Sequence, residues 1–416
     1  MNDWKETTLV GYIELLNGYA FKSNDFVLSK LNDNYLPIIK IKNVANGDVN
    51  FNDVVYHKIE PNLEKYILGK DDILIALTGN HPFAKTQVVG GVSRFKMNEK
   101  AFLNQRVGKI YSQNINKLDE NYIYYFFNWK NTKFYLGNQS SGSASQANIS
   151  KNDVLNTPIH LPPLSEQKAI ANVLTSFDNK IELLQQQNQT LETIAQTIFA
   201  AWFGKYQLND ELPKGWRVDS LENISEEITR GFTTKYVDKS NLINLNQKVN
   251  KGKYLEKQHF KYYSNETEVP TNKFIKKYDL LLNSLGEGTL GRVHLYCEQT
   301  SNVVADQHIT ILRFKKALAF YVYQVLISKK GNFRLMNEIS GTTGMLMLNI
   351  GKVRLFKIIV PDDYMLKKYL GLVIPLFEKL EINNAQIQSL TKTRDTLLPK
   401  LMSGALRVSE VKTSTN

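Results

Sequence analysis

A chain of 416 residues and 47.7 kDa, 42% hydrophobic and 22% charged, is not a disordered polymer, and no apolar run in it nears the ~20 residues that span a bilayer. The N-terminal MNDWKETTLV has no basic segment leading into an apolar one, and one cysteine, Cys297, can neither close an internal disulfide nor build a zinc site, so two to four cytoplasmic domains are expected. Lys and Arg number 52 against 40 Asp and Glu, and the net charge of +12 points to a polyanionic partner such as nucleic acid.

Taken in order, the first half opens at Trp4 on a stretch that ends in Leu15-Leu-Asn-Gly-Tyr-Ala-Phe-Lys22. Asp72-Ile-Leu-Ile-Ala-Leu reads as a strand, and Asn104-Gln-Arg-Val107 as a turn leading into another. A helix is predicted over Tyr122–Trp129, then a Ser141-Gly142 stretch and Ile159-His-Leu-Pro162. Pro162-Pro163 stops any helix upstream, Ser165 is the predicted N-cap, and Glu166 suits the positive helix end. From there to Phe203 neither Gly nor Pro occurs. Ile181, Leu184, Leu191, Ile194 and Ile198 form a narrow stripe of the coiled-coil kind.

The second half repeats these landmarks. Gly215-Trp216 opens a stretch ending in Ile228-Thr-Arg-Gly-Phe-Thr-Thr-Lys235. Between Arg230 and Asp279 lie 11 Lys/Arg and 5 Asp/Glu, a net of +6, interleaved with Tyr and Phe. Lys277-Tyr-Asp-Leu-Leu-Leu-Asn-Ser-Leu-Gly286 matches Gly69–Gly79, and Arg292–Cys297 reads as a strand. Asp306-Gln-His-Ile309 matches Asn104–Val107; Ser340-Gly341 and Ile358-Ile-Val-Pro361 match Ser141-Gly142 and Ile159–Pro162. A helix is predicted over Leu318–Lys329, and a longer one over Leu376–Met402 between Pro375 and Pro399, with its stripe at Leu380, Ile387, Leu390 and Leu397. Landmark offsets fall steadily from 212 to 199, as in two copies with unequal loops. The expected fold is therefore α+β: two similar globular domains, 1–160 and 208–360, and helical regions 161–207 and 361–416. Each helix alone leaves its stripe exposed, so the two are expected to pair as an antiparallel coiled coil. A helix over Ser176–Phe203, ~42 Å long, would hold the domains apart about a pseudo-twofold axis.

Leu161-Pro-Pro-Leu-Ser-Glu-Gln-Lys-Ala-Ile-Ala-Asn-Val-Leu174, Phe177-Asp with the long helix, Trp202-Phe203, Leu212-Pro-Lys-Gly-Trp216 and the closing Arg394-Asp-Thr-Leu-Leu-Pro-Lys-Leu-Met-Ser-Gly404 resemble the conserved regions of DNA-specificity subunits of type I restriction-modification systems. The resemblance covers the whole chain. It implies two target-recognition domains reading a split double-stranded DNA target, and docking to two adenine-methyltransferase subunits and to ATP-driven restriction subunits. S-adenosylmethionine, ATP and Mg would belong to those partners, with no cofactor in this chain. One departure stands out: Val360-Pro-Asp-Asp-Tyr-Met-Leu366 replaces the second Pro-Pro-Leu-x-Glu-Gln block.

No catalytic motif assembles. Gly286-Glu-Gly288-Thr-Leu-Gly291 has the form of a dinucleotide-binding turn but runs into a strand-like stretch, which favours a hairpin; it also lacks the Lys and Ser/Thr of a phosphate loop. There is no Asn/Asp-Pro-Pro-aromatic methyltransferase signature, and six scattered histidines suggest no metal site. Pro361-Asp362-Asp363 with Lys367 is a faint nuclease-like pattern. Base reading needs Arg or Lys for guanine and Asn or Gln for adenine, carried on loops. Candidates in the first half are Lys22, Lys85, Gln87, Arg94, Gln105, Arg106, Ser140 and Gln146. Those in the second are Arg230, Lys235, Arg292, Gln307, His308, Thr342 and Thr343. Two other functions remain on the sequence: a coiled-coil tether without nucleic-acid function, and a dinucleotide-binding enzyme built on Gly286, Gly288 and Gly291.

If the helices set the distance between two DNA blocks, four residues inserted between Gln185 and Gln189 add ~6 Å. The expected result is a gap longer by one or two base pairs with both blocks unchanged, read by mapping methylated adenines in cells that carry the partner subunits.

Overall fold

In the computed structural model, which describes residues 4–44, 47–81, 89–143, 146–286, 288–341 and 346–408, the chain divides into two units. Met1–Ile181 and Ser389–Asn416 make the first, Glu182–Gln388 the second. The division falls within the two long helices rather than at their ends. Each half-helix buries its apolar stripe in its own unit and so belongs to that unit's core.

At the centre of the first unit is a sheet with spatial order Ile13–Asn17, Val107–Ser112, Ile73–Ala76, Val92–Arg94, Gly47–Asp48, antiparallel except for the last pairing. Ile73, Leu74, Ile75 and Ala76 are all buried, because this strand is covered on both faces. Ile73 and Ile75 pack with Tyr122, Ile123 and Phe127 of the helix Glu120–Asn128. Leu74 packs instead with Ile39, Phe95 and Leu103, beneath a mixed sheet of Tyr56–Lys58, Tyr35–Ile39, Ala101–Leu103 and Ile67–Leu68. Lys5–Thr8 pairs antiparallel with Pro158–Leu161, which brings the two ends of the globular part together just ahead of the first long helix.

The second unit repeats this plan. Its sheet runs Glu227–Arg230, Ile309–Arg313, Leu280–Asn283, Val293–Leu295, and a mixed sheet holds Tyr236–Val237, Lys261–Tyr263, Leu242–Leu245 and Val303–Ala305. The parallel pairing of Ala101–Leu103 with Tyr35–Ile39 recurs as Val303–Ala305 with Leu242–Leu245. Arg217–Ser220 pairs with Lys357–Val360 as the closing ribbon. The sequence repeat is thus a repeat of topology. The helix expected over Leu318–Lys329 is two helices, Lys316–Ile327 and Lys329–Asn337, because Ser328 accepts the Gly331 N–H at 3.0 Å and starts a new one.

Both long helices have 40 residues, Leu164–Phe203 and Asp363–Met402. Three expectations about them need correction. Ser165 is not the N-cap; it lies in the first turn, and the Pro163 carbonyl accepts the Gln167 N–H at 3.0 Å. The second helix does not start at Leu376. Asp362 caps it, accepting the Met365 N–H at 2.7 Å, and Pro375 sits exposed in its interior. An interior proline costs ~3 kcal/mol, but Leu366, Tyr369, Leu370, Val373, Phe377 and Leu380 are buried along this helix at about 1.5–3 kcal/mol each. Packing outweighs the breaker. Ile194, placed in the seam, is 41% exposed, while Ala195 at 0% takes the seam position that a period of alternating three and four residues reaches from Leu191. Ile181, Leu184 and Leu380 are buried; Leu191, Ile198, Ile387, Leu390 and Leu397 are half-buried.

Polar contacts fix the register in each unit. In the first, Arg394 Nη1 donates to Asp178 Oδ1 at 2.6 Å, and the Tyr125 hydroxyl donates to Asp178 Oδ2 at 2.6 Å. Burial, with Asp178 beside it, raises the Tyr125 phenol far above its ordinary range. Arg407 Nη1 lies 2.7 Å from both Glu166 oxygens, and Trp4 Nε1 donates to Glu166 at 3.0 Å. In the second unit, Asn188 donates to Asn384 at 2.8 Å and Asn383 to Asn188 at 2.9 Å, while Phe203 packs edge-on to Tyr369 at 5.1 Å. Residue 166 meets 407 and 178 meets 394; 188 meets 384 and 203 meets 369. The helices are antiparallel within each unit.

Asp178→Ala removes the acceptor of both Arg394 and Tyr125 and is expected to lower stability by about 1–3 kcal/mol. Urea denaturation of the full chain measures this; an unchanged midpoint would reduce the contact to an inconsequential surface pair.

Candidate nucleic-acid interface

In the first unit, the chain leaving Ile13–Asn17 passes directly over the turn between Ala101–Leu103 and Val107–Ser112. Gly18 N–H donates to the Val107 carbonyl at 3.0 Å, Tyr19 N–H to Leu103 at 2.9 Å, and Gln105 N–H back to Tyr19 at 2.9 Å. A Cβ on Gly18 would stand 2.2 Å from the Asn104 carbonyl oxygen, so only glycine passes. The second unit has the same crossing. Gly231 N–H donates to Ile309 at 2.9 Å, Phe232 N–H to Ala305 at 2.7 Å, and a Cβ on Gly231 would lie 2.1 Å from the Asp306 carbonyl oxygen. Lys22 thus follows three residues after the bonded Tyr19, beside the turn that carries Gln105 and Arg106. Lys235 likewise follows Phe232, beside Gln307 and His308. The side chains of Lys22, Gln105, Arg106, Lys235 and Gln307 are exposed and make no hydrogen bond or ion pair among the described residues.

A hairpin adjoins each turn. The Arg106 carbonyl accepts the Leu77 N–H at 3.0 Å, and the next residues, Thr78–Gly79, pair with Gln146–Asn148. That strand forms a hairpin with Ser141–Ser143. In the second unit, the His308 carbonyl accepts the Ser284 N–H at 2.8 Å, and Leu348 N–H donates to Ser284 at 2.9 Å from the hairpin of Ile339–Ser340 and Met347–Leu348. Ser140 ends the helix Lys130–Gln139, its hydroxyl donating to the Gly137 carbonyl. The Gln146 backbone pairs with Ser143. Lys85, Gln87, Thr342 and Thr343 lie outside the described residues.

The three remaining arginines are each bonded within their own unit. Arg94 pairs with Ile73, at the strand end away from Leu77; it donates to Asn121 at 2.7 Å and lies 4.4 Å over the Tyr124 ring. It does not join the cluster. Arg230 donates to the Leu348 carbonyl at 2.7 Å and braces the hairpin, half-buried, with burial lowering its pKa. Arg292 donates to the Gly288 carbonyl at 2.8 Å across the glycine-rich turn. Gly286, Gly288 and Gly291 have φ of +111°, +70° and +81°, and the strand Val293–Leu295 follows. Among the described residues no helix N-terminus follows to receive a pyrophosphate, which disfavours the dinucleotide reading. The nuclease-like pattern resolves as well: Asp362 is a helix cap. The basic stretch after Arg230 is partly neutralised at home, with Lys251 on Glu256, Lys253 on Glu192 and Lys257 on Glu298.

Asp306 was not singled out from sequence as a functional residue. Almost fully buried, it receives the Tyr236 hydroxyl at 3.0 Å, the His308 N–H at 2.9 Å and the His308 Nδ1. Its position beside the matched Gln307 was the available signal. Among the described residues, no group of three or more His, Cys, Asp or Glu is placed to hold a metal ion, and no helix is long and apolar enough to cross a membrane.

The two units carry the same glycine-braced turn with exposed polar side chains, one scaffold used twice in one chain. Residues 1–193 match the model of the type I restriction modification DNA specificity domain. The type I restriction enzyme MjaIX specificity subunit of Methanocaldococcus jannaschii is 30% identical over 312 residues, 70% of either chain. The StySPI specificity subunit of Salmonella potsdam is 24% identical over 97% of this chain and 89% of its own. The S subunit of a type I restriction-modification system from M. genitalium shares the fold, with a TM-score of 0.59, 18% identity and 96% of both chains covered. The chain belongs to the specificity subunits of type I restriction enzymes. Its role is DNA sequence recognition, as the non-catalytic component of a restriction-modification complex.

Gly18→Ala forces the crossing apart and is expected to cost about 1–3 kcal/mol and to displace the Gln105–Arg106 turn. Thermal unfolding and DNA titration of the same sample check both effects; full stability would show that the chains separate freely.

Proposed function

We propose that this subunit reads a split, asymmetric double-stranded DNA target, one block per unit, and brings two adenine-methyltransferase subunits and ATP-dependent restriction subunits to it in the cytoplasm. The observation that carries the reading is the pair of equivalent turns with different side chains, Asn104-Gln105-Arg106 and Asp306-Gln307-His308, on one backbone scaffold. The same frame with different polar groups suits two related but unequal blocks. Glutamine at the middle position of each turn matches adenine, and Arg106 matches the guanine O6/N7 edge. The net charge of +12 supports phosphate contacts around the base contacts. S-adenosylmethionine, ATP and Mg are assigned to the partner subunits, and this chain carries no cofactor of its own.

With its methyltransferase partner, the chain is expected to lose DNA affinity by orders of magnitude between ~50 and ~200 mM salt, because its basic side chains displace condensed counterions. An anisotropy titration across that range tests this. A change below about threefold would favour the tethering alternative, since a handful of phosphate contacts already demands far more. The isolated chain is expected to transfer no methyl group from labelled S-adenosylmethionine.

A further inference from the structure

The two recognition turns differ in one physical respect. In the first, Gln105 and Arg106 project from the turn with no side-chain partner among the described residues. In the second, the turn is built around a buried carboxylate. Asp306 accepts from the Tyr236 hydroxyl at 3.0 Å and from the His308 N–H at 2.9 Å, the Thr233 hydroxyl stands 3.5 Å away, and His308 Nδ1 is bonded to Oδ1. Burying a carboxylate is costly unless such donors surround it, so this one is a fixed point of the turn. Its side chain is 2% exposed, against 35% for His308. A carboxylate only accepts, so Nδ1 carries the proton; in the neutral ring Nε2 is then the acceptor, and no group among the described residues occupies it. The backbone beneath is held as well, by the Gly231 crossing and by Gln307 N–H on the Thr233 hydroxyl at 3.3 Å.

We propose that His308 is a specificity-determining residue of the second unit, with Nε2 accepting a hydrogen bond from an exocyclic base amine, adenine N6 or cytosine N4, and that Asp306 is its positioning residue. The inference rests on the assignment of these turns to DNA reading. Arg106, the matching residue of the first unit, can only donate and suits guanine. One backbone position therefore accepts in one unit and donates in the other. A polar residue carried on a solvated turn has only a loose orientation; a ring anchored to a buried carboxylate loses that freedom before DNA arrives, which sharpens discrimination.

The test uses the full chain with its methyltransferase partner and a duplex library randomised across the target. His308→Ala is expected to lose about tenfold of preference at one base pair of one block and to leave the other block unchanged. Asp306→Asn, which installs the amide that the first unit has at Asn104, should weaken preference at that same pair and leave the other block read as before. A duplex whose base at that pair lacks the exocyclic amine should bind the wild type as weakly as the intact duplex binds His308→Ala. Full wild-type preference in His308→Ala, or indifference of the wild type to removal of the amine, overturns the assignment of His308. Loss spread over both blocks in Asp306→Asn overturns the positioning role. A wild-type complex that enriches no sequence at all overturns the DNA-reading assignment of the turns, and this inference with it.

Discussion

A 40-residue helix with an apolar stripe along one side cannot remain alone in water, and most of this structure follows from how the two such helices are covered. In each unit, half of one helix lies antiparallel to half of the other, and both press on the globular part. Ile170, Leu174, Leu401 and Met402 join the core of Trp4, Tyr122 and Phe127. Phe199, Phe203, Tyr369 and Phe377 join that of Phe320 and Tyr321. The closing ribbons make this possible, since each returns the chain to the place where it entered before the next helix begins.

The same demand explains why the two helix starts differ in sequence. In the first unit, Glu166 joins Trp4 to Arg407. The buried Gln167 amide donates to the carbonyls of Lys117 and Pro162, and its oxygen accepts the Asp119 N–H. Glu and Gln are therefore used inside the unit, as a polar clasp of three distant segments. In the second unit, Asp362 caps the helix, and Met365 and Leu366 pack into an aromatic core with Trp202, Phe203 and Trp216. The divergence at 360–366 substitutes apolar packing for a polar clasp.

The turns that carry the candidate residues are shaped by a smaller constraint of the same kind. Two backbone segments touch at Gly18 and again at Gly231, so the turn beneath each is held by main-chain bonds that do not depend on its side chains. Side chains on such a turn can change without moving it. That is the property a subunit needs to present different polar groups on one frame.

Local pattern was enough to establish the duplication, the central strands and the two long helices, because periodicity, turn glycines and repeated landmarks act over a few residues. It also led to the exposed polar residues of both turns, since Gln105 and Gln307 recur at matched positions. What it could not supply was any competition between distant groups. Pro375 reads as a boundary until the buried face along its helix outweighs the missing hydrogen bond. Ile194 reads as seam until Ala195 is found at the buried position. Arg94 and Arg230 read as freely projecting side chains until Asn121 and the Leu348 carbonyl are found bonded to them. Asp306 stands in the sequence only as a landmark of the repeat, and it is the fold that closes Tyr236, Thr233 and His308 around it. Most strands, helices and turns are legible along the chain, since those choices are made by near neighbours. Which side chains remain free to meet a ligand was decided only by the tertiary structure, because a partner seventy residues away can satisfy a polar group as well as an adjacent one.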